Sequence, residues 1–116
     1  MNEFTYRITD QVFDWIVNDN KCIELRLYNE KSSQICVDDK IKFIVINNEK
    51  KSILVKVKGL LIYDNVDNLL EDIDINKVAP IDKKVIKELL SEIFNGQLNE
   101  HNIIGIKFDV LEISNE

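Results

Sequence analysis

The sequence is poor in the residues that disulfide-stapled and metal-bound proteins depend on, with 2 cysteines and 1 histidine among 116 residues. Cys22 and Cys36 cannot form a disulfide framework, and a chain of this length can build its own core, so we expect reduced thiols. His101 is the one histidine, which excludes a four-ligand Cys/His zinc site. We therefore expect neither a metal nor a cofactor.

Glycine and proline are also scarce, with 3 and 1 residues, which excludes collagen-like and low-complexity proteins. No apolar run approaches the roughly 20 residues that cross a bilayer, and the first ten residues do not form a basic segment followed by an apolar one. Hydrophobic residues make up 45% and charged residues 31%, which is typical of globular proteins. We expect a single cytoplasmic domain over residues 1–116, monomeric and without a membrane partner.

The charge is unevenly distributed along the chain. The net charge of −6 argues against a protein that coats nucleic acid nonspecifically. Residues 20–58 nevertheless contain nine basic and five acidic side chains, whereas the remainder contains six basic and sixteen acidic ones. This segment suits a selective polyanion binder, although surface lysines also keep sheet edges soluble. If the chain binds RNA, we expect Lys40, Lys42, Lys56 and Lys58 to form one positive face at the mouth of the binding site.

Hydrophobic periodicity predicts three helices and four strands. The helices cover 10–18, with Thr9 or Asp10 as the cap, 64–71 and 81–94, and the strands cover 22–28, 40–46, 52–62 and 102–113. A run of strands followed by helices and a closing strand favours an α+β fold with a mostly antiparallel, strongly curved sheet. We therefore predict a small β-barrel flanked by helices.

Three charged side chains, Lys21, Glu24 and Arg26, lie within six residues at the second predicted element. Alternation places Glu24 and Arg26 on the strand face opposite the leucines. They can form an exposed ion pair, which is common and weak, or they can line a pocket that binds phosphate or carbonyl groups. In a pocket, we expect Lys21 to reach water and to contribute more to ligand binding than to folding. Trp15 lies off the apolar stripe of the first helix, so it covers the helix flank or faces a pocket.

Residues 19–43, DNKCIELRLYNEKSSQICVDDKIKF, resemble the signature of ASCH domains, members of the PUA-like superfamily, in which a GxKxxExR motif precedes a V-G-D turn. Lys21, Glu24 and Arg26 match the K, E and R of the motif, and Val37 and Asp39 match the turn. Residues 53–70 are similar to the family strand that ends in a tyrosine before a short helix, and 101–112 are similar to its closing strand. The resemblance therefore covers nearly the whole chain.

The chain departs from the family pattern at three glycines, which are replaced by Asp19, Asp38 and Asn102. Asp and Asn tolerate the left-handed backbone better than other non-glycine residues, so we expect the fold to survive these changes.

The resemblance implies a barrel with a cavity beneath the first helix, in a superfamily that contains many RNA binders. We expect RNA or a nucleotide-like small molecule to bind Lys21, Glu24 and Arg26, with Tyr28 and Tyr63 as stacking or hydroxyl partners. Some ASCH relatives hydrolyse N4-acetylcytidine with Lys, Thr and Glu; here Glu24 takes the place of the Thr, so a small amidohydrolase with Lys21 and Glu24 as acid and base is the alternative. A partner-binding module without pocket chemistry stays open as a third interpretation.

Overall fold

The computed structural model describes residues 2–93 and 102–115. Its strands are β1 (Glu3–Ile8), β2 (Ile23–Leu27), β3 (Lys40–Val45), β4 (Asn48–Tyr63) and β5 (Ile103–Asn115), and its α-helices are α1 (Asp10–Asn18), α2 (Val66–Asp72) and α3 (Lys83–Ile93). Short 3₁₀ turns occupy Ser32–Gln34 and Ile75–Lys77. The predicted α+β class is confirmed.

One curled sheet holds all five strands, in the order β1-β3-β4-β5-β2. β1 pairs in parallel with β3, and every other neighbouring pair is antiparallel. The sheet is a half-barrel whose edge strands are β1 and β2, so the predicted mostly antiparallel, curved sheet with flanking helices is confirmed.

Hydrophobic residues are buried in two clusters on the two faces of β5. One cluster, here called the cluster under α1, contains Phe13 and Ile16 of α1 together with Ile104, Ile106 and Phe108 of β5. The second cluster, here called the cluster under α3, contains Ile103 of β5, Ile23 and Leu25 of β2, Leu69 of α2, and Ile86 and Leu90 of α3. The alternation of side chains along β5 therefore attaches α1 to one face of the sheet and α2 with α3 to the other.

β1 was not predicted from the sequence, and its presence corrects the predicted element order. Phe4, Tyr6 and Ile8 alternate with exposed residues as in a half-buried strand, but the strand is six residues long and its partner β3 lies more than thirty residues away. The other predicted elements are present with shifted ends, and β4 begins at Asn48, directly after Asn47, whose φ is 65°. The predicted end of α3 at residue 94 and its cap lie outside the described residues.

The acidic turn before β3 positions the start of β1. Asp38 has a φ of 77°, the left-handed conformation expected where the family has glycine, whereas Asp19 has a φ of −119° and Asn20, at 62°, is the left-handed residue. The Asp39 carboxylate accepts hydrogen bonds from the amides of Asn2, at 3.0 Å, and Cys36, at 2.9 Å. These bonds stabilise the charged form and lower the pKa of Asp39.

Candidate ligand-binding pocket

A pocket with a volume of about 260 Å³ lies between the edge strands β1 and β2. Its walls are mainly apolar and come from the end of β1, from α1, from Val78 to Ile81 and from α3. Trp15 of α1 contributes an aromatic wall. Of the two alternatives for this residue, the structure therefore shows the one that faces a pocket. Trp15 also packs against the cluster under α3. Lys21, Glu24 and Arg26 provide charge inside this apolar enclosure.

Glu24 forms ion pairs with both basic residues of the motif. Its Oε1 lies 3.2 Å from Nζ of Lys21, and its Oε2 accepts from Nη2 of Arg26 at 2.8 Å and from Nε of Arg26 at 3.1 Å. The exposed fractions of the three side chains are 4% for Lys21, 10% for Glu24 and 25% for Arg26. The exposed-pair alternative is therefore wrong, because the structure brings all three charges together in a largely buried site.

Lys21 uses all three of its N–H donors inside the protein. Besides the contact with Glu24, Nζ donates to the carbonyl oxygens of Ile23, at 2.6 Å, and of Val78, at 2.9 Å. The ammonium group thus joins the start of β2 to the segment before α3. The expectation that Lys21 reaches water is wrong, because the side chain is buried and its ammonium group is held by Glu24 and by the carbonyl oxygens of Ile23 and Val78.

The Glu24 carboxylate remains ionised in spite of its burial. Loss of water alone would raise the pKa of Glu24, but attraction to Lys21 and Arg26 and the hydrogen bonds they donate outweigh it, so the net pKa is lowered. The two cations and one anion leave the site with a net charge of +1. An anion or a carbonyl oxygen is the complementary ligand group.

Arg26 connects the charged site to the opposite edge of the sheet. Its Nη2 also donates to the carbonyl oxygen of Arg7 in β1, at 2.9 Å, and its guanidinium lies 4.5 Å from the centre of the Tyr6 ring. Within residues 2–93 and 102–115 no hydrogen-bond partner of Nη1 is found. Arg26 therefore closes the gap between the edge strands with one nitrogen and has two N–H donors left on another.

The lowered pKa of Glu24 predicts a specific acid sensitivity. A carboxylate whose pKa is lower in the folded than in the unfolded protein stabilises the fold above the unfolded pKa, near 4.5, and that stabilisation is lost as pH falls through the folded pKa. As the pH falls below about 4.5, we expect the urea midpoint of the wild type to fall and that of Glu24→Gln to fall less. Parallel curves of urea midpoint against pH for the two proteins would contradict the lowered pKa of Glu24. Asp39, whose pKa is also lowered, is present in both proteins, so its contribution cancels in the difference between the curves.

The two tyrosines predicted as ligand partners are not among the residues lining this pocket. The hydroxyl of Tyr63 donates to Oδ2 of Asp72 at 2.8 Å, and this bond raises the pKa of Tyr63. Tyr28 packs against the cluster under α1. Their roles in binding stay predictions. Arg7 and Thr9 also line the pocket. They were not predicted as pocket residues, because the strand that positions them, β1, was not recognised in the sequence.

The lysine-rich segment does not form a positive face at the pocket mouth, which corrects the sequence-based expectation. Lys40, Lys42, Lys56 and Lys58 are absent from the pocket lining. Lys56 lies 3.5 Å from Asp38, and Lys58 lies 3.3 Å from Asp109, so nearby carboxylates offset two of these charges. The basic side chains at the pocket are Arg7, Lys21 and Arg26.

Other candidate groups lie away from the pocket or outside the described residues. Cys22 is partly buried against the cluster under α3, Cys36 is exposed, and His101 lies outside the described residues. In the part of the chain that the structure describes, no three His, Cys, Asp or Glu side chains are grouped as a metal site would require. None of the helices in that part is both long and apolar enough to cross a membrane.

No family model and no curated protein matches the sequence. Solved structures do match the fold. The crystal structure of the hypothetical protein PH0355 is 24% identical over 94% of this chain and 99% of its own, with a TM-score of 0.76. The solution structure of protein PF0455 from Pyrococcus furiosus is 25% identical over 95% and 98%, with a TM-score of 0.72.

The crystal structure of ASCH from Zymomonas mobilis is 14% identical and covers 98% of this chain and 73% of its own, with a TM-score of 0.67. At this identity the match concerns the fold alone. It agrees with the α+β half-barrel described above. The chain therefore has the PUA-like fold of an ASCH domain.

Proposed function

We propose that this chain is a binding module that takes a nucleoside, free or as an unstacked nucleotide of RNA, into the pocket of Lys21, Glu24 and Arg26. The observation that carries the proposal is the combination of apolar walls, one of them Trp15, with a buried site of net positive charge. Such a combination suits a ligand that has a flat apolar ring and polar edges, because ring faces pack on apolar walls while edges need fixed polar partners.

The size of the pocket favours one base over a longer stretch of nucleic acid. Ligand pockets span roughly 300 to 1,000 Å³, and about 260 Å³ is just below that range. RNA-binding proteins commonly take single unstacked bases into such sites and stack them on aromatic side chains. Trp15 is the aromatic residue that lines this pocket, which makes it the stacking surface in our proposal.

The polar groups of the site match a base edge that carries a carbonyl oxygen. Nη1 of Arg26 has two N–H donors for such an oxygen, and a carboxylate offers about four acceptor positions, of which Glu24 uses three for Lys21 and Arg26. Glu24 can therefore still accept one hydrogen bond from a ligand N–H. Lys21, whose donors are all used, holds the carboxylate in place.

The test is titration of the protein with the four common nucleosides and with short single-stranded RNAs at low ionic strength. We expect at least one nucleoside to saturate the protein, and Glu24→Gln and Arg26→Gln to weaken its binding by about 10-fold or more, the effect of losing a charged hydrogen bond. Lys58→Gln is the matched control, since it removes an exposed ion pair away from the pocket lining.

The salt dependence of RNA binding is part of the same test. Arg26 is paired with Glu24 and contacts the base in our proposal, so Arg7 is the basic side chain of the pocket lining that remains for a phosphate. With about one phosphate neutralised, log K should fall with log salt at a slope of about −0.7. Absence of binding to every nucleoside and RNA at low ionic strength would refute the proposal. A slope several times steeper would instead indicate a binding surface along the lysine-rich segment.

The amidohydrolase alternative has less support from the same contacts. A general acid or base works best with a pKa near the working pH and a free proton-transfer site. The pKa of Glu24 is lowered and the donors of Lys21 are all bonded inside the protein. We expect no acetate release from N4-acetylcytidine. Turnover by the wild type, abolished in Glu24→Gln while nucleoside binding persists, would favour the enzyme instead.

A further inference from the structure

The pocket lies along the free edge of β2, as its lining shows. Side chains alternate between the two faces of a strand, so Glu24 and Arg26 project from one face of β2 and Leu25 from the other. All three nevertheless line the same pocket, together with Arg7 from the free edge of β1. A pocket can meet both faces of β2 only by lying beside the strand, where main-chain groups point outward.

The antiparallel pairing of β2 with β5 fixes which main-chain groups these are. The carbonyl oxygen of Cys22 accepts from the amide of Phe108 at 3.0 Å, and the amide of Tyr28 donates to the carbonyl oxygen of Asn102 at 2.7 Å. Hydrogen-bonded pairs alternate along an antiparallel ladder, so the even-numbered residues bond to β5 and residues 23, 25 and 27 direct their N–H and C=O groups to the free edge.

Side chains cover the carbonyl groups on either side of Leu25. The carbonyl oxygen of Ile23 accepts from Nζ of Lys21 at 2.6 Å, and that of Leu27 accepts from Oγ of Ser32 at 2.9 Å. Across the described residues no hydrogen bond to the N–H or the C=O of Leu25 is found, although this residue is 5% exposed. Buried main-chain groups are almost always paired, so this donor and acceptor are available to water or to a ligand that enters the pocket.

We propose that the ligand of this pocket pairs with the main-chain N–H and C=O of Leu25, through an acceptor and a donor that are neighbours on one ring edge. This inference rests on the proposed function, since the lactam or amidine edge of a nucleobase is such an edge. Arg26 and Glu24 then contact polar groups beside the same edge. Main-chain hydrogen bonds of this kind select a ligand by the order of donor and acceptor on its edge. Side-chain substitutions do not remove these bonds.

The surroundings favour a small ligand over an added peptide strand. An inserted strand needs a row of free main-chain groups along both edges. On β1, Arg26 donates to the carbonyl oxygen of Arg7, and Lys31 donates to that of Thr5. With the carbonyls that flank Leu25 covered as well, the gap offers one residue for pairing. A peptide that protected the amides of Leu25 and Arg7 together would overturn this assignment.

The first test replaces the amide at position 25 by an ester, by incorporating leucic acid in place of Leu25. The ester removes the N–H and keeps the side chain, and we expect the best-binding free base to bind about 5- to 10-fold more weakly, the usual net effect of one hydrogen bond. The same change at Leu27 is the matched control. The N–H of Leu27 also points to the free edge, but Leu27 does not line the pocket. Each ester also makes the carbonyl oxygen of the preceding residue, which bonds to β5, a weaker acceptor, so this side effect is the same in both proteins.

The second test is amide hydrogen exchange, which needs no substitution and so decides the matter even if the ester protein does not fold. In the free protein the amide of Leu25 should exchange faster than those of Glu24 and Arg26, which bond to β5. Free nucleobases and the simple lactam 2-pyridone are the probes, and a bound probe should slow Leu25 selectively.

The outcomes separate this inference from the proposed function. If 2-pyridone slows the Leu25 amide and no nucleobase or nucleoside binds, the proposed function fails and main-chain recognition is supported. If a nucleoside binds the ester protein as tightly as the wild type, the proposed function survives and main-chain recognition is overturned. Slow exchange of Leu25 in the free protein, or no slowing by any probe, also overturns it.

Discussion

Lys21→Met should lower the free energy of unfolding by about 3 to 5 kcal/mol, the usual effect of removing one partner of a buried ion pair. Methionine nearly keeps the shape of the lysine stem but leaves the Glu24 carboxylate with Arg26 as its remaining cation. It also leaves the carbonyl oxygens of Ile23 and Val78 without their donor. Urea denaturation of the two proteins measures the difference.

Two comparisons make this prediction specific to the buried charge. Lys58→Met removes an ion pair whose side chains are 60% and 59% exposed, and should cost at most about 1 kcal/mol. The double variant Lys21→Met with Glu24→Gln should lose less than the sum of the two single variants, because the second change removes the unpaired charge. Equal effects of Lys21→Met and Lys58→Met would contradict the buried role of Lys21.

Trp15→Ala should weaken nucleoside binding by about 10- to 100-fold, because loss of an aromatic stacking surface costs about 1 to 3 kcal/mol per base. Trp15→Phe should retain most of the affinity, since a smaller ring still stacks. Trp15 also packs against the cluster under α3, so binding is measured by titration at a temperature where the melting curve of each variant shows the folded state.

Tyr28→Phe and Tyr63→Phe are the controls for this second prediction. Neither tyrosine lines the pocket, and Tyr63 has Asp72 as its hydroxyl partner, so we expect unchanged affinity in both variants. Loss of binding in a tyrosine variant, with normal binding by Trp15→Ala, would return the stacking role to the residues predicted from the sequence.

Much of the fold follows from local patterns in the sequence. Thr9 caps α1, with its side chain accepting from the amide of Val12. Among the residues that the structure describes, the two-residue and 3.6-residue periods identify four of the five strands and all three α-helices. β1 escaped this reasoning because a six-residue half-buried strand has a weak pattern. Its parallel pairing with β3 requires contacts over more than thirty residues.

The sequence by itself determined which charged residues share a neighbourhood, because Lys21, Glu24 and Arg26 are separated by fixed spacings along one short segment. Only the tertiary structure decided their exposure. Val78, 57 residues from Lys21, receives one of its hydrogen bonds, and Arg7, 19 residues from Arg26, receives another. Spacing places side chains on one face of a strand, but whether that face meets water or protein depends on the segments that pack against it from elsewhere in the chain.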